Sequence, residues 1–174
     1  RTTLPSGSRR GKAGRGRSWR RGCRRGRWRP DRRRGRRFQV VINANGAKIG
    51  KVFGGGNAAN VGSTGEGGVA AGTQVTLTNG EIKAGVYGGC NTEGTVTANT
   101  SVTLSGGTVG ASDAVAEVCG GGLGKDTKVT NSATPCTSYV YVGTETTPGD
   151  ASTYTGGTTL YGDIYGGSAY GEVD

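Results

Sequence analysis

The chain has 174 residues, of which 37 are Gly; it carries 22 Lys plus Arg against 12 Asp plus Glu, and it has no His. Without histidine, a Ser-His-Asp triad, a histidine general base and a histidine metal ligand are excluded. The net charge of +10 is divided unevenly: residues 1–37 hold 16 Arg and one Lys against Asp31, whereas residues 38–174 hold five Lys, no Arg and 11 acids.

The first predicted segment, residues 1–37, is a basic tail that we expect to be disordered, because it has too few aliphatic residues to build a core. Three interpretations stay open. In the first, the tail binds nucleic acid or another polyanion through guanidinium groups and stacked tryptophans. In the second, it is a solvated arm that contacts acidic polymers or lipids without specificity. In the third, it is out-of-frame or mis-joined coding sequence, because Arg stops at residue 37. Polyanion binding would be carried by Trp19, Arg20, Arg21, Arg24, Arg25, Arg27 and Trp28.

A four-residue signature returns four times in residues 38–174: a β-branched residue, a mostly aromatic position and two glycines. Counted from the β-branched residue, the intervals are 34, 32 and 46 residues. A signature that returns every few tens of residues indicates a repeat architecture. The four copies are Val52-Phe53-Gly54-Gly55, Val86-Tyr87-Gly88-Gly89, Val118-Cys119-Gly120-Gly121 and Ile164-Tyr165-Gly166-Gly167.

The residues between the signatures predict short strands. In Thr73–Leu77 and Thr100–Leu104, Val and Leu alternate with Thr, and the two segments align without a gap at a separation of 27 residues. Residues 137–141 are the expected equivalent in the third copy. A period of two with β-branched residues and bracketing glycines is typical of half-buried strands. A further apolar position follows each signature, at Val61, Val96, Val129 and Val173.

Short strands in stacked repeats predict an all-β fold, a right-handed parallel β-helix of about four coils that spans residues 38–174. We expect Val52, Val86, Val118 and Ile164 to stack inward, with an aromatic column at Phe53, Tyr87 and Tyr165. The glycines are expected at corners that need a positive φ. Because both ends of such a stack lack caps, we also expect the chain to be a piece of a longer solenoid. Three loops are expected to project from corners, at residues 62–72, 110–117 and 143–157.

The repeat from Thr100 to Gly122 resembles the Gly-rich V-Y-G-G-G repeat of large bacterial adhesin-like proteins that are secreted or attached to the cell surface. The resemblance covers residues 46–174 and implies parallel β-helix stalks with a structural or adhesive role outside the cell. It transfers no catalytic residue. Cys119 at the aromatic position and the degenerate third copy depart from the pattern.

Other chemistry is poorly supported by the residue pattern. The four cysteines, Cys23, Cys90, Cys119 and Cys136, form no CxxC, and small buried thiols are preferred over a disulfide between Cys90 and Cys119. We predict no metal site and no cofactor. A carbohydrate-active enzyme would need acids at matched positions of adjacent coils. No such pair is expected among Asp113, Glu117, Asp126 and Asp163, which are interpreted as solvated loop residues.

The functional prediction is therefore a structural or adhesive surface protein without catalytic activity, which contacts a surface glycan or a host protein. Tyrosines on a flat β face suit stacking on sugar rings. Neighbouring coils of a longer chain are the other expected partner, nucleic acid is a partner only if the tail is native, and no apolar run reaches the roughly 18 residues of a membrane span. Two alternatives stay open: polyanion binding through the tail and a carbohydrate-active β-helix enzyme. The candidate binding residues are Tyr139, Tyr141, Tyr154 and Tyr161.

Overall fold

The computed structural model describes residues 36–63, 70–131, 134–145, 154–155 and 157–174. All of them lie in the second of two units into which the chain divides, Arg32–Asp174. Within these ranges every regular element is a β-strand and none is a helix, so the all-β prediction is confirmed. The predicted tail lies outside the described residues except for Arg36 and Arg37, which begin the first strand.

The strands are mostly short, as the alternating sequence predicts. The exceptions are β1 and β2, of 18 and 17 residues, which bend where their register shifts instead of breaking into separate strands. The described strands are β1 (Arg36–Phe53), β2 (Ala71–Tyr87), β3 (Glu93–Val96), β4 (Thr100–Leu104), β5 (Thr108–Val109), β6 (Glu117–Cys119), β7 (Asp126–Val129), β8 (Ser138–Val142), β9 (Thr144–Glu145), β10 (Tyr154–Thr155), β11 (Thr159–Leu160), β12 (Ile164–Tyr165) and β13 (Glu172–Val173).

The strands form a curled, mostly parallel sheet of eight strands, a parallel sheet of three strands (β3, β7 and β13) and an antiparallel pair (β9 and β10). Four stretches of chain, which we call rows 1 to 4, lie side by side in sequence order. They are residues 36–62, 70–97, 98–131 and 134–174, within the described ranges. Each row pairs with the next in parallel.

The row register matches the sequence alignment between rows 2 and 3. Thr73–Leu77 of row 2 pair one to one with Thr100–Leu104 of row 3, the predicted separation of 27 residues. For row 4 the prediction is wrong by one residue: Thr100–Leu104 pair with Ser138–Val142 instead of residues 137–141, so Val102 faces Val140 and not Tyr139. The apolar residues that follow the signatures also stack, through bridges or ladders that join Val61, Val96, Val129 and Val173 in order.

The β-branched signature residues form one column through all four rows. Val52 pairs with Val86, Val86 with Val118, and Val118 with Ile164. The first three are at most 5% exposed, but Ile164 in row 4 is 45% exposed. The predicted inward stacking is therefore confirmed for rows 1 to 3. The core beside this column consists of the inward residues of the strands, among them Val75, Leu77, Ile82, Val102, Leu104 and Val109.

The predicted aromatic column is only partly formed. The rings of Phe53 and Tyr87 stack with centroids 5.1 Å apart and planes 11° apart. In row 3 the same position is Cys119, whose thiol is buried and free, and Tyr165 of row 4 pairs with it. The small thiol interrupts the stack, so Tyr165 has no ring of row 3 to lie on.

The signature glycines have a different physical role from the predicted one. None of them has a positive φ; the glycines that do include Gly80, Gly107 and Gly162, which lie at bends. A Cβ placed on Gly54, Gly88 or Gly120 would instead lie inside the carbonyl group of the glycine in the next row. These positions need glycine because the main chains of adjacent rows approach each other there.

The three predicted loops are shorter than expected where the structure describes them. Gly72 and Glu117 lie in strands β2 and β6 instead of in loops. Short antiparallel contacts close the loop ends, at Gly62 with Ala70, at Ala111 with Ala114, and between β9 and β10. Residues 64–69 and 146–153 lie outside the described residues.

Candidate functional site

The most prominent candidate site is a pair of tyrosines on the outer face of β8. Tyr139 and Tyr141 alternate with Val140, which packs against the core, so both rings lie on the opposite side of the strand. The rings stack with centroids 5.7 Å apart and planes 12° apart. Tyr139 is 36% exposed. Two stacked phenol rings present an apolar surface with polar hydroxyl groups.

The tyrosine pair lines a groove of about 980 Å³ that runs across the outer faces of the four rows. Tyr139 pairs with Ser101 of row 3, which pairs with Gln74 of row 2. Tyr141 pairs with Thr103 of row 3. Among the described residues that line the groove, none is acidic, and the other polar groups are hydroxyls and amides. Arg36 and Arg37 line the groove too and bring positive charge. The arrangement offers stacking surfaces, hydrogen-bonding groups and cations, but no carboxylate.

Of the other two predicted tyrosines, Tyr161 lies apart from this pair. Tyr161 follows β11, is 39% exposed and does not line the groove; its main chain bonds to Val109 and Ala116. Tyr154 belongs to β10, and its side chain lies outside the described residues. The structure therefore brings together two of the four candidate residues. The predicted polyanion-binding residues Trp19, Arg20, Arg21, Arg24, Arg25, Arg27 and Trp28 also lie outside the described residues.

The prediction that no two acids occupy matched positions is wrong. Glu117 and Asp163 directly precede Val118 and Ile164, which pair with each other, so the two acids occupy equivalent positions of rows 3 and 4. The sequence does indicate this match, because both acids directly precede a signature. The residues at that position, in rows 1 to 4, are Lys51, Gly85, Glu117 and Asp163, and they form one column. Asp126 of β7 pairs directly with Glu93 of β3 and forms a second matched pair of acids, whereas Asp113 lies in the turn between Ala111 and Ala114.

Each of these two carboxylates accepts a hydrogen bond from a tyrosine. Tyr87 Oη donates to Glu117 over 3.4 Å, and Tyr165 Oη donates to Asp163 over 3.5 Å. Burial raises the pKa of Tyr87 to about 12, and the charge of Glu117 adds to this shift. Burial likewise raises the pKa of the Cys119 thiol to about 11. Both groups are therefore neutral at physiological pH, and Cys119 is a poor nucleophile.

These two shifts predict a loss of stability in alkaline solution. Both pKa values are raised on folding, from 10.0 for Tyr87 and 9.0 for Cys119, so their contributions are fully present below pH 9 and are lost between pH 9 and pH 12. We expect the free energy of unfolding, measured by urea denaturation, to fall across this range. In the Tyr87→Phe variant the fall above pH 10 should be smaller. An equal fall in wild type and variant would contradict this account.

No metal centre or membrane span is found in the described part of the chain. It contains no group of three or more Cys, Asp or Glu that could hold a metal ion. It also contains no helix long and apolar enough to cross a membrane. Comparisons with protein-family models, with curated proteins and with solved structures find no match for this chain.

Proposed function

We propose that residues 36–174 form a right-handed parallel β-helix of about four coils, and that this protein is a non-catalytic structural or adhesive repeat protein of the cell surface or extracellular space. The winding is supported by the order of the strands. In row 2 the chain leaves the large sheet after β2, enters the three-stranded sheet as β3, and returns to the large sheet as β4. Row 3 repeats this passage through β6, β7 and β8.

We propose that the outer face binds glycans, and the stacked pair of Tyr139 and Tyr141 is the observation that carries this proposal. Flat aromatic faces pack against the apolar faces of sugar rings. The hydroxyl and amide groups of Ser101, Thr103 and Gln74 lie in the same groove, where they can bond to sugar hydroxyls. A groove of about 980 Å³ has room for an oligosaccharide of a few units.

A glycan array probed with the full chain tests this function. In the Tyr139→Ala/Tyr141→Ala double variant we expect binding to fall by roughly tenfold or more, because an aromatic contact of this kind contributes about 1 kcal/mol per ring. Tyr170→Ala is the matched control, since Tyr170 is 73% exposed and does not line the groove. Equal binding by the double variant and the control would remove the tyrosine site.

One observation favours the enzyme alternative, namely the neighbouring carboxylates of Glu117 and Asp163. Parallel strands lie about 4.8 Å apart, close to the separation of the two carboxyl groups in retaining glycosidases. We propose instead that these carboxylates are structural, because a tyrosine hydroxyl bonds to each of them. Polysaccharide turnover that is abolished by Glu117→Gln or Asp163→Asn would overturn the non-catalytic proposal. Polyanion binding through the tail stays an alternative, which a salt-dependent nucleic-acid affinity would favour.

A further inference from the structure

No contact within the described chain requires glycine at the two signature glycine positions of row 4. In rows 1 to 3, a Cβ on the first signature glycine would clash with the main chain of the next row, and a Cβ on Gly89 would lie 2.8 Å from the amide nitrogen of Gly122. At Gly166 and Gly167 a Cβ would meet nothing within 4 Å. Neither residue has a positive φ. Alanine would therefore fit both positions in the isolated chain.

The apolar side chains of row 4 are exposed in the same region. Val142, Ile164 and Val173 are 42%, 45% and 37% exposed, whereas their row 3 equivalents Leu104, Val118 and Val129 are at most 1% exposed. Among the described residues, no strand pairs with the outer side of β8, β11, β12 or β13. An exposed row of unpaired main-chain groups and apolar side chains is a template for another strand.

The glycines also indicate what would cover this edge. At each of the three row interfaces, the space beside the first signature glycine is filled by the carbonyl group of the glycine in the following row. The empty space beside Gly166 therefore fits a main-chain carbonyl in the same parallel register. A side chain or an antiparallel strand would not reproduce that contact.

We propose that row 4 of one copy of this chain stacks on row 1 of a second copy, in the same parallel register that joins the rows within the chain. The first row supplies the matching residues. Val140 would face Val40 of the second copy, Leu160 would face Ile49, and Ile164 would face Val52. Tyr165 would lie on Phe53, as Tyr87 does within one chain, and Gly166 would face Gly54.

Row 1 has an edge suited to this contact. Among the described residues, β1 pairs only with β2, so its other side carries no strand. Phe38 occupies an inward column that holds Thr73, Thr100 and Ser138 in the other rows, and it is 52% exposed at this edge. Val41, on the outer face of the same strand, is 55% exposed. The edge therefore presents apolar surface that Ser138 and Tyr141 of the first copy would cover.

Charge complementarity selects this head-to-tail arrangement. The register places Lys51, Gly85, Glu117 and Asp163 in one column, so the column ends with two like charges, Glu117 in row 3 and Asp163 in row 4. Head-to-tail stacking would place Lys51 of the second copy next to Asp163, where it compensates this repulsion. Stacking of row 4 on row 4 through a two-fold axis would make the facing strands antiparallel and would bring no Lys51 to Asp163. Since a head-to-tail contact does not close on itself, the expected product is an open chain of copies.

Sedimentation velocity of the full chain over a range of concentrations tests this proposal. The wild type is expected to show a mean mass that rises with concentration. Gly166→Ala should keep the melting temperature within about 2 °C and raise the dissociation constant at least about tenfold, because the methyl group displaces the incoming carbonyl. Gly120→Ala, which places the same methyl group between rows 3 and 4, is the folding control and should melt far below the wild type. A wild type that stays monomeric, or a Gly166→Ala variant that associates normally, would overturn the proposal.

A charge-reversal cycle tests the partner edge independently of the glycine. Lys51→Glu and Asp163→Lys should each weaken association by about tenfold, since each places like charges side by side, and the double variant should recover most of the loss. Lys125→Glu is the matched control, because it changes the net charge equally in the exposed turn before β7. Failure of the double variant to recover, or an equal effect of Lys125→Glu, would show that the copies do not meet head to tail.

Discussion

Gly88→Ala is expected to lower the free energy of unfolding by more than about 3 kcal/mol, which corresponds to a fall of roughly 10 °C in the melting temperature. The added methyl group would overlap the carbonyl oxygen of Gly120 and lie 3.2 Å from Cβ of Thr100. Gly88 cannot move away, because its N–H donates to the carbonyl oxygen of Cys119 over 2.9 Å and its own carbonyl accepts from Thr73 Oγ1.

Gly50→Ala is the matched control for this prediction. A Cβ on Gly50 would meet nothing within 4 Å, and its φ is not positive. Thermal melting followed by circular dichroism should therefore separate the two variants clearly. If Gly88→Ala melted as the wild type does, the rows could not approach each other as closely as the structure describes.

Val102→Asp is the second substitution with a large expected effect, a loss of more than about 4 kcal/mol in the free energy of unfolding. Val102 is fully buried between Val75 of row 2 and Val140 of row 4. A carboxylate at this position would lose its water. The Leu77–Leu104 column on one side is apolar, and the hydroxyl of Thr100 on the other side already donates to the carbonyl oxygen of Gly120.

Ser101→Asp is the matched control, since Ser101 is the adjacent residue on the outer face of the same strand. We expect it to change the free energy of unfolding by less than about 1 kcal/mol, measured by urea denaturation. Equal effects of the two substitutions would mean that β4 does not alternate between an inner and an outer face.

The repeat period predicts much of the fold, because each row meets its neighbour at equivalent residues. The gapless alignment of Val75 with Val102 and of Ile82 with Val109 is the register that the structure shows. The period does not reveal why the signature glycines are needed. Glycine is needed because the lateral offset between rows places a carbonyl group of the next row beside Gly88. This offset cannot be read from the sequence of a single row.

The candidate site is predictable only in part. The alternation Tyr139-Val140-Tyr141 places both rings on one face of a strand, and their stacking follows from that. Tyr161 lies apart from this pair because it follows β11. The length of the 46-residue interval before Ile164 does not predict where β11 joins the sheet. The matched positions of Glu117 and Asp163 could have been predicted from the alignment, since each residue directly precedes a signature.

Contacts between methyl groups, measured by NOE spectroscopy on a sample labelled at Val, Leu and Ile methyl groups, test the stacking of rows most directly. The parallel β-helix predicts that Val86 contacts Val52 and Val118, and that Val102 contacts Val75 and Val140. These contacts join residues about 30 positions apart and always link neighbouring rows in sequence order. Contacts that skip a row, such as Val52 to Val118, or that pair the rows in antiparallel order, would contradict the proposed fold and the outer face that depends on it.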